Sequence, residues 1–407
     1  MDYYVNFSLD LPFIYASLVA LAISFILVIF ALRPFRVVRR EADKDSGIPM
    51  ESFDEGNDAF QPESDSEAEM IAEAEMIAEA ESDSETQMVA EAVNDKKPLS
   101  SVNNNSSLPG ISIVVHSEGD NETLNTFLEY CLEQNYDNFE IIVVNDASAA
   151  ATAMLAEQFE GNERIYFTFI PPGSQVLSRH KLALTIGIKA AKKDIIVTTT
   201  GYARPLGRNW LLSLATPFSD KKCGAVLATA SPDFSQFKVL ARPFRRLGFS
   251  LRTANWVYAA LCGKPYRGSG YNLAFRKSLF FSNKGYSRGV LLEGGDDDLF
   301  IESIAHDNNI AVNPSPAARV RLDWGESTRR LLHNMIRRNR ESEKQLETKR
   351  TNLTLMLLIL NIMLIFSLVA MVLFMPDIIG IASAAVILLA VGSIQWITLR
   401  RLSRSLS

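Results

Sequence analysis

The chain has 407 residues, enough for two or three domains, and a formal net charge of −6. Its three cysteines, Cys131, Cys223 and Cys262, lie far apart without CxxC spacing. This argues against a disulfide framework or a zinc site and suits a reducing cytoplasm. The basic residues cluster beside apolar segments, where membrane topology explains them, so nucleic acid is not an indicated partner.

The first predicted element is a membrane span. Residues 11–32 carry no charge and are long enough to cross a bilayer. No basic region precedes them and four arginines follow within residues 33–40, which is unlike a cleaved signal peptide. We therefore predict an N-terminal transmembrane anchor over residues 1–40, with its cytoplasmic end at the arginines.

An acidic segment follows at residues 41–107. Residues 41–98 hold 19 acids and 3 lysines, a net charge of −16, so the rest of the chain carries +10. The hexapeptide EAEMIA occurs at 67–72 and again at 73–78. A six-residue period does not place its Met-Ile pairs on one helix face, so no core is expected. We predict a disordered linker; the alternative is an intramolecular decoy for the basic domain.

From residue 108 onward, short β-branched segments alternate with helical periodicity. Strands are predicted at 111–115, 141–144, 166–170 and 194–199, each of the first three followed by a helix. This alternation predicts an α/β domain with a mostly parallel sheet and helices on both faces. Ligands of such sheets bind beyond the carboxyl ends of the strands.

Three adjacent acids, Asp296, Asp297 and Asp298, follow Gly294-Gly295 and open an apolar segment with helical spacing. Neighbouring like charges lower stability unless they are solvated, paired or used on a substrate. A helix N-terminus favours negative charge, so one interpretation is an acidic cap on a solvated helix. The other interpretation is a general base at the rim of a cleft.

Residues 326–352 form a basic segment with arginines at mixed helical spacing beside leucine, isoleucine and methionine. This pattern is typical of an amphipathic helix on anionic lipid. The alternative is that its arginines bind a diphosphate.

Two uncharged runs follow, at 353–374 and 378–397, with only residues 375–377 between them. They predict a transmembrane hairpin within residues 353–407, which end in a basic tail. The basic residues before and after the runs place the domain and the tail inside and the turn outside. We expect a multi-pass protein of the inner membrane with a cytoplasmic domain at 108–325, and membrane lipids among its partners.

Several short segments in a fixed order point to one family. They are 111–115, 136–148 (YDNFEIIVVNDAS), 181–191, 204–205, 210–211, 268–278 (GSGYNLAFRKS) and 295–301. Their order and spacing resemble the membrane-bound family 2 inverting nucleotide-sugar glycosyltransferases with the GT-A fold. The resemblance covers residues 108–325 and implies a nucleotide-sugar donor and a lipid-linked or glycan acceptor.

The resemblance implies a nucleotide site at Asn145, Asp146 and Lys181. Asn145 and Asp146 match the pair that holds the base and ribose, and an Asx turn closing the strand is the structural alternative. Lys181 precedes the helix that lies beside the diphosphate in the family, where a cation fits phosphate.

The resemblance also implies a catalytic role for the acidic triple. Asp296 matches the base that deprotonates the acceptor hydroxyl, and Asp297 and Asp298 would tune it or position the acceptor. Tyr202, Arg204 and Asn272 are expected in the donor and acceptor cleft. For Asn272, a bend packed under the acidic loop is the alternative.

One departure concerns metal. The family expects an acid-x-acid signature after the fourth strand, which binds Mn or Mg on the diphosphate. This chain has Thr200-Gly201-Tyr202 there, and hydroxyl groups are poor replacements for carboxylates around a hard cation. No metal-binding residue is therefore assigned.

Two functions follow from these observations. The first is inverting transfer of a sugar from a nucleotide-sugar to a lipid-linked or envelope glycan acceptor at the cytoplasmic membrane face. The alternative is a catalytically inactive glycosyltransferase-like membrane scaffold or nucleotide-binding protein. Asp146 and Asp296 favour the enzyme, and the Thr200-Gly201-Tyr202 replacement favours the scaffold.

Overall fold

The computed structural model describes the chain from residue 26 onward, with gaps. The described residues are 26–44, 47–49, 51–53, 108–117, 121–146, 149–171, 174, 178–305, 309–347, 352–374 and 378–406. Residues 11–25 of the predicted anchor, residues 54–107 of the predicted linker and the predicted turn at 375–377 lie outside these ranges.

A 7-stranded sheet in the order β3-β2-β1-β4-β8-β6-β9 forms the centre of the domain. β1 to β4 are parallel, β8 is antiparallel to both its neighbours, and β6 and β9 are parallel. The prediction of an α/β, GT-A-like fold with a mostly parallel sheet is therefore confirmed. A second sheet has the order β5-β10-β7. The strands are β1 (Ile111–Ser117), β2 (Phe139–Asn145), β3 (Ile165–Phe169), β4 (Ile195–Thr200), β5 (Ala203–Pro205), β6 (Cys223–Ala228), β7 (Ala230–Pro232), β8 (Leu273–Arg276), β9 (Asn309–Asn313) and β10 (Val320–Leu322).

Helices cover both faces of the large sheet, because the strands are apolar on both sides. In β1, Val114 packs into one core and Ile113 and Val115 into the other, as strand alternation requires. The helices are α1 (Arg33–Asp43), α2 (Asn121–Leu132), α3 (Ala149–Glu157), α4 (Arg179–Ala190), α5 (Trp210–Ala215), α6 (Arg242–Leu261), α7 (Lys277–Ser282), α8 (Leu299–Ile304), α9 (Thr328–Glu343), α10 (Leu353–Phe374) and α11 (Ile378–Leu406). α2, α3 and α5 cover the face with Ile113, and α4, α6 and α8 cover the face with Val114.

The helices α1, α10 and α11 dock on the α4 face of the domain. Phe35 of α1, Leu353 of α10 and Leu402 of α11 all belong to the core on that face. Farther out, residues 26–31 are helical, and Val28 packs between α10 and α11. Among the described residues, one helical stretch, Ala384–Leu406, is long and apolar enough to cross a membrane; Leu353–Val369 is a shorter apolar stretch.

The start of the predicted linker is part of the folded structure. Residue 41 lies within α1. The backbone carbonyl of Glu51 accepts a hydrogen bond from Arg208 N–H at 2.8 Å, and the ring of Phe53 lies 4.4 Å from that of Tyr130. Residues 51 and 53 of the predicted linker thus contact the domain.

The three cysteines are free thiols. Cys131 and Cys223 are buried and Cys262 is exposed. Burial raises the pKa of Cys131 and raises that of Cys223 to about 11.

Candidate active site

The carboxyl ends of β1, β2 and β4 meet at one edge of the sheet. His116 near the end of β1 pairs in register with Val144 on one side and Thr200 on the other. From β1 the chain moves outward through β2 and β3, and then returns to add β4 on the opposite side of β1. Ligands of open α/β sheets bind at such a reversal point.

Asn145 and Asp146 lie at this edge but point to opposite faces of the sheet. Asn145 is buried, and its amide donates to the Thr152 hydroxyl of α3 at 3.2 Å. Asp146 faces α4, where Nε of Arg179 donates to its two carboxylate oxygens at 2.8 and 2.7 Å. These hydrogen bonds lower the pKa of Asp146. Only Asp146 of the predicted pair therefore presents an ionised group to the α4 side of the edge.

Two histidines, His116 and His180, lie between Asp146 and Asp296, and we call them the histidine pair. Their Nδ1 atoms are 3.0 Å apart. Nε2 of His116 lies 3.9 Å from Asp146 Oδ2, and Nε2 of His180 lies 3.5 Å from Asp296 Oδ2. Neither histidine was predicted as a site residue. The sequence could have indicated them, because His116 lies near the end of a predicted strand and His180 just before a predicted helix, where ligands of such sheets bind.

Asp296 lies against the glycine segment, residues 268–270, and near the guanidinium of Arg338. A Cβ on Gly270 would lie 2.5 Å from Asp296 Oδ2, so the close approach requires glycine. Burial alone would raise the pKa of Asp296, but His180 and Arg338 lower it to about 2. Asp296 is therefore ionised over the whole physiological pH range.

The other two acids of the triple have different surroundings. Asp298 is fully buried, accepts the Leu299 N–H at 2.8 Å as the N-cap of α8, and pairs with Arg267 at 2.6 Å. Burial, together with the charge of Asp298, raises the pKa of Asp297 well above its usual value. The acidic-cap interpretation thus fits Asp298, whereas Asp296 and Asp297 both line a cavity.

Lys181 supports the loop that carries these acids. Its side chain is buried and donates to the backbone carbonyls of Gly289 and Gly294, the latter at 2.8 Å. Burial lowers the pKa of Lys181. The ammonium thus holds the loop just before Asp296, and its predicted contact with a diphosphate stays a prediction.

Asn272 belongs to the packed interior. It is fully buried, and its amide nitrogen donates to the carbonyls of Thr229 and Ala318, both at 2.8 Å. Its oxygen accepts from Trp210 Nε1 at 3.1 Å. The side chain ties β8, the small sheet and α5 together and is fully buried, and its predicted place in the cleft stays a prediction.

Tyr202 and Arg204 lie outside the cavity. The Arg204 guanidinium lies over the ring of Tyr130, 5.0 Å from its centroid. The carbonyl of Tyr202 accepts a hydrogen bond from Asp323 N–H at 2.9 Å. Their predicted roles in the cleft stay predictions, and neither is among the residues that line the cavity.

The end of β4 does not provide the ligands of a hard divalent cation. The Thr200 hydroxyl donates to the His116 carbonyl at 3.3 Å, and Gly201 packs against Leu124. Asp146 and Asp296 each have a basic neighbour. Within the described ranges, no three His, Cys, Asp or Glu side chains are grouped to hold a metal. The residues present therefore do not fit the Mn or Mg that the resemblance implies.

A cavity of about 730 Å³ extends from Asp296 toward the start of α10. Its walls are α6, α9, the glycine segment before β8 and the start of α10, where Asn352 and Thr354 lie. Arg252 and Arg340 line it, and neither forms an ion pair with a described residue. The cavity thus joins the carboxylate at the sheet edge to the first turn of α10.

The chain was compared with known proteins. No curated protein shows a significant match to the chain. Similar solved structures include the mannosyltransferase PcManGT from Pyrobaculum calidifontis in complex with GDP-Man and Mn2+, with 16% identity, a TM-score of 0.44, and coverage of 76% of this chain and 89% of that one. S. aureus TarS 1–349 in complex with UDP-GlcNAc is 15% identical, with a TM-score of 0.40 and coverage of 53% and 59%. GalNAc-T7 with UDP, GalNAc and Mn2+ is 14% identical, with a TM-score of 0.39 and coverage of 53% and 43%.

The family assignment comes from the sequence. Residues 111–273 match the model of the family described as Glycosyl transferase family 2. The matched residues include β1 to β4, the histidine pair and Asp146. The chain therefore carries a family 2 glycosyltransferase domain, which supports a glycosyltransferase activity.

Proposed function

We propose that the chain transfers a sugar from a nucleotide-sugar to a lipid-linked or envelope glycan acceptor at the cytoplasmic face of the inner membrane, with inversion. The observation that carries the proposal is the position of Asp296. This carboxylate lies where the carboxyl edge of the sheet meets a cavity that reaches the start of α10. Donor and acceptor thus approach it from two directions.

The donor binds at the carboxyl edge. Asp146 is ionised there, and its partner Arg179 is half exposed, with 46% of the side chain accessible. Ribose or base donors replace Arg179 at the carboxylate, and the released guanidinium binds a phosphate. No step requires a metal ion, in keeping with the residues at the end of β4.

The acceptor enters through the cavity. Arg252 and Arg340 make that route attractive to an anion, since Glu343, an acid of the same cavity, is already bound to Arg267 at 2.6 Å. Asn352 and Thr354 line the end of the cavity beside α10. These features suit an acceptor with a negatively charged head group on a lipid.

Asp296 is the base of the reaction. It accepts the proton of the acceptor hydroxyl while the hydroxyl oxygen bonds to the anomeric carbon. The bond from that carbon to the diphosphate oxygen breaks on the opposite side, and the nucleoside diphosphate leaves. Asp297 keeps its proton to a higher pH and can donate a hydrogen bond to the acceptor.

A multi-pass membrane location is supported by the surface of α10 and α11. Large apolar side chains are exposed along both helices, among them Phe366 and Leu389. Leu353, the first residue of α10, and Leu402 and Leu406 at the end of α11 pack on the domain. This arrangement suits a hairpin whose two inner ends and the domain share the cytoplasmic side.

The test is transfer by the full chain reconstituted in liposomes, with a panel of UDP- and GDP-sugars and lipid-linked acceptors. We expect Asp296→Asn to lower kcat by about 10²–10⁴-fold while donor affinity changes little, because the amide cannot take the proton. The exposed acid variant Glu157→Gln serves as the control and should match wild type. NMR of the product anomer tests inversion, and turnover should persist in chelator.

The alternative, a catalytically inactive nucleotide-binding scaffold, is favoured by the missing carboxylates at residues 200–202 and by the occupied Asp146. It predicts nucleotide binding without turnover for both wild type and Asp296→Asn across the panel. Wild-type turnover in Asp296→Asn would instead refute the assigned base.

A further inference from the structure

The histidine pair completes a row of four ionisable side chains across the site. Asp146, His116, His180 and Asp296 follow one another with contacts of 3.9, 3.0 and 3.5 Å. β1 supplies one histidine and α4 the other, so the row depends on the tertiary fold. It connects the donor-side carboxylate to the proposed base.

The geometry fixes how many protons the pair holds. Two nitrogens 3.0 Å apart share one proton, so one Nδ1 donates and the other accepts. Each Nε2 faces a carboxylate, and a nitrogen in that position carries its proton, because a lone pair would be repelled. This gives three protons on two imidazoles. Since a neutral imidazole has one, the pair carries one positive charge.

The geometry assigns this charge to His180, because its Nε2 is closer to a carboxylate than that of His116, at 3.5 against 3.9 Å, and its side chain is less buried. His116 is 4% exposed, and its Nε2 has no hydrogen-bond partner among the described residues. Burial, and after it the neighbouring His180, lower the pKa of His116 to about 3. His116 is therefore the neutral member, with Nδ1 as acceptor and Nε2 protonated.

The other charged and titratable groups around the pair come from every element packed on it. They are Asp146 after β2, Arg179 and Lys181 of α4, Tyr271 before β8, Asp296 and Asp297 before α8, and Arg338 of α9. Arg338 and Arg179 disfavour a charge on His116, and Asp146 favours one. The balance leaves His180 as the imidazole that faces an ionised carboxylate at close range.

We propose that His180 is a positively charged positioning residue for Asp296, and that neutral His116 lies between it and Asp146 on the donor side. The inference rests on the proposed transferase function, because it takes Asp296 as the base. The end of β4 lacks metal ligands, so this imidazolium is a cation that the chain itself provides. It holds the Asp296 carboxylate ionised and oriented toward the cavity.

The first test needs no activity. The chain has only four histidines, so their imidazole NMR signals can be assigned by substitution. We expect His116 to be neutral down to about pH 3 and protonated on Nε2. In His180→Gln the pKa of His116 should rise, because a neighbouring positive charge is lost. Protonation of His116 on Nδ1, or an unchanged titration in the variant, would overturn the proposal.

The second test is the pH profile of kcat. In His180→Gln the amide can still donate to Asp296 but carries no charge, so the pKa of Asp296 rises. The base is then protonated at a higher pH than in wild type, and the acid limb of kcat should move to higher pH. We expect kcat to fall about tenfold, less than on removing the base itself, with the donor KM little changed. A merely structural role would leave the acid limb in place.

Two further variants keep the outcomes distinct. His333→Gln changes an exposed histidine of α9 and should leave both the profile and the His116 signal as in wild type. If His180→Gln does not fold, His180→Asn also removes the charge and should raise the pKa of His116. If wild type shows no turnover with any donor, the proposed function fails. The His116 titration still tests the proposed charge on His180, because it needs no activity.

Discussion

At the scale of single residues, the contact between Gly270 and Asp296 is the tightest constraint in the site. An added methyl group would overlap the carboxylate, so Gly270→Ala must displace Asp296 or the glycine segment. A shift of about 1 Å can cost about 10²-fold in rate, and we expect a loss of kcat of about that size. Gly392→Ala, in a helical position with open space, is the matched control. Equal kcat in both variants would contradict the assigned geometry.

Asp297 provides a second prediction, on stability. Its folded-state pKa lies above the unfolded value of about 3.9, so the folded state favours the protonated acid. The stabilisation of the folded state by protonated Asp297 is fully present below about pH 3.9 and is lost as the pH rises through the pKa of Asp297 in the folded state. Asp297→Asn should therefore raise Tm at neutral pH, by about 2–4 °C for each 1 kcal/mol that the substitution adds to the free energy of unfolding.

The check on Asp297 is a series of thermal melts from about pH 3 to pH 8. The difference in Tm between Asp297→Asn and wild type should shrink as the pH falls toward the pKa of Asp297 in the unfolded chain. Asp137→Asn, at an exposed position, should show no such trend. A variant that is less stable than wild type at every pH would refute the assigned burial effect.

At the scale of elements, a buried ion pair holds α9 against α8. Arg267 binds Asp298 and Glu343, both at 2.6 Å, and the Ser342 hydroxyl donates to Asp298 at 2.5 Å. Removing one partner leaves a buried charge without compensation. Arg267→Met should therefore lower the free energy of unfolding by about 3–5 kcal/mol.

The control for that pair is Arg337→Ala, which breaks contacts to Glu293 and Glu341 at the surface. Exposed pairs contribute about 0–1 kcal/mol, so this variant should stay near wild type in chemical denaturation. Equal effects of the two substitutions would show that α9 is not held by the buried pair.

The elements predicted from sequence were those with strong local patterns. β1 to β4 and α4 follow from β-branched runs and helical spacing. By contrast, β5, β7 and β10 have three residues each, too few for a period, and pair only through the tertiary fold.

The same difference separates the parts of the site. Asp146 and Asp296 lie in segments that match the family pattern. His116 and His180 are 64 residues apart in the chain, so their contact depends on the tertiary fold and could not be predicted from a local pattern. Asn272 was misleading for a related reason. A polar residue among glycines and aromatics fits either a sugar contact or a buried amide, and its three hydrogen bonds come from distant elements.

At the scale of the whole molecule, α1, α10 and α11 share one hydrophobic core with the domain. The Gln395 amide of α11 donates to Asn361 of α10 at 2.9 Å, a contact that is favourable in an apolar surrounding. Reporters inserted at residue 376 should read external, and reporters at residues 105 and 404 should read cytoplasmic. A cytoplasmic signal at residue 376 would exclude the hairpin.

The unequal burial of the three thiols has a practical consequence. Cys131 and Cys223 are buried and Cys262 alone is exposed, at the end of α6 and four residues before Tyr266 in the cavity wall. A maleimide dye or spin label should therefore attach at one position in the native, unmutated chain. A label at Cys262 lies near the proposed acceptor entrance, so a change in its spectrum on addition of a lipid acceptor would indicate binding of that acceptor.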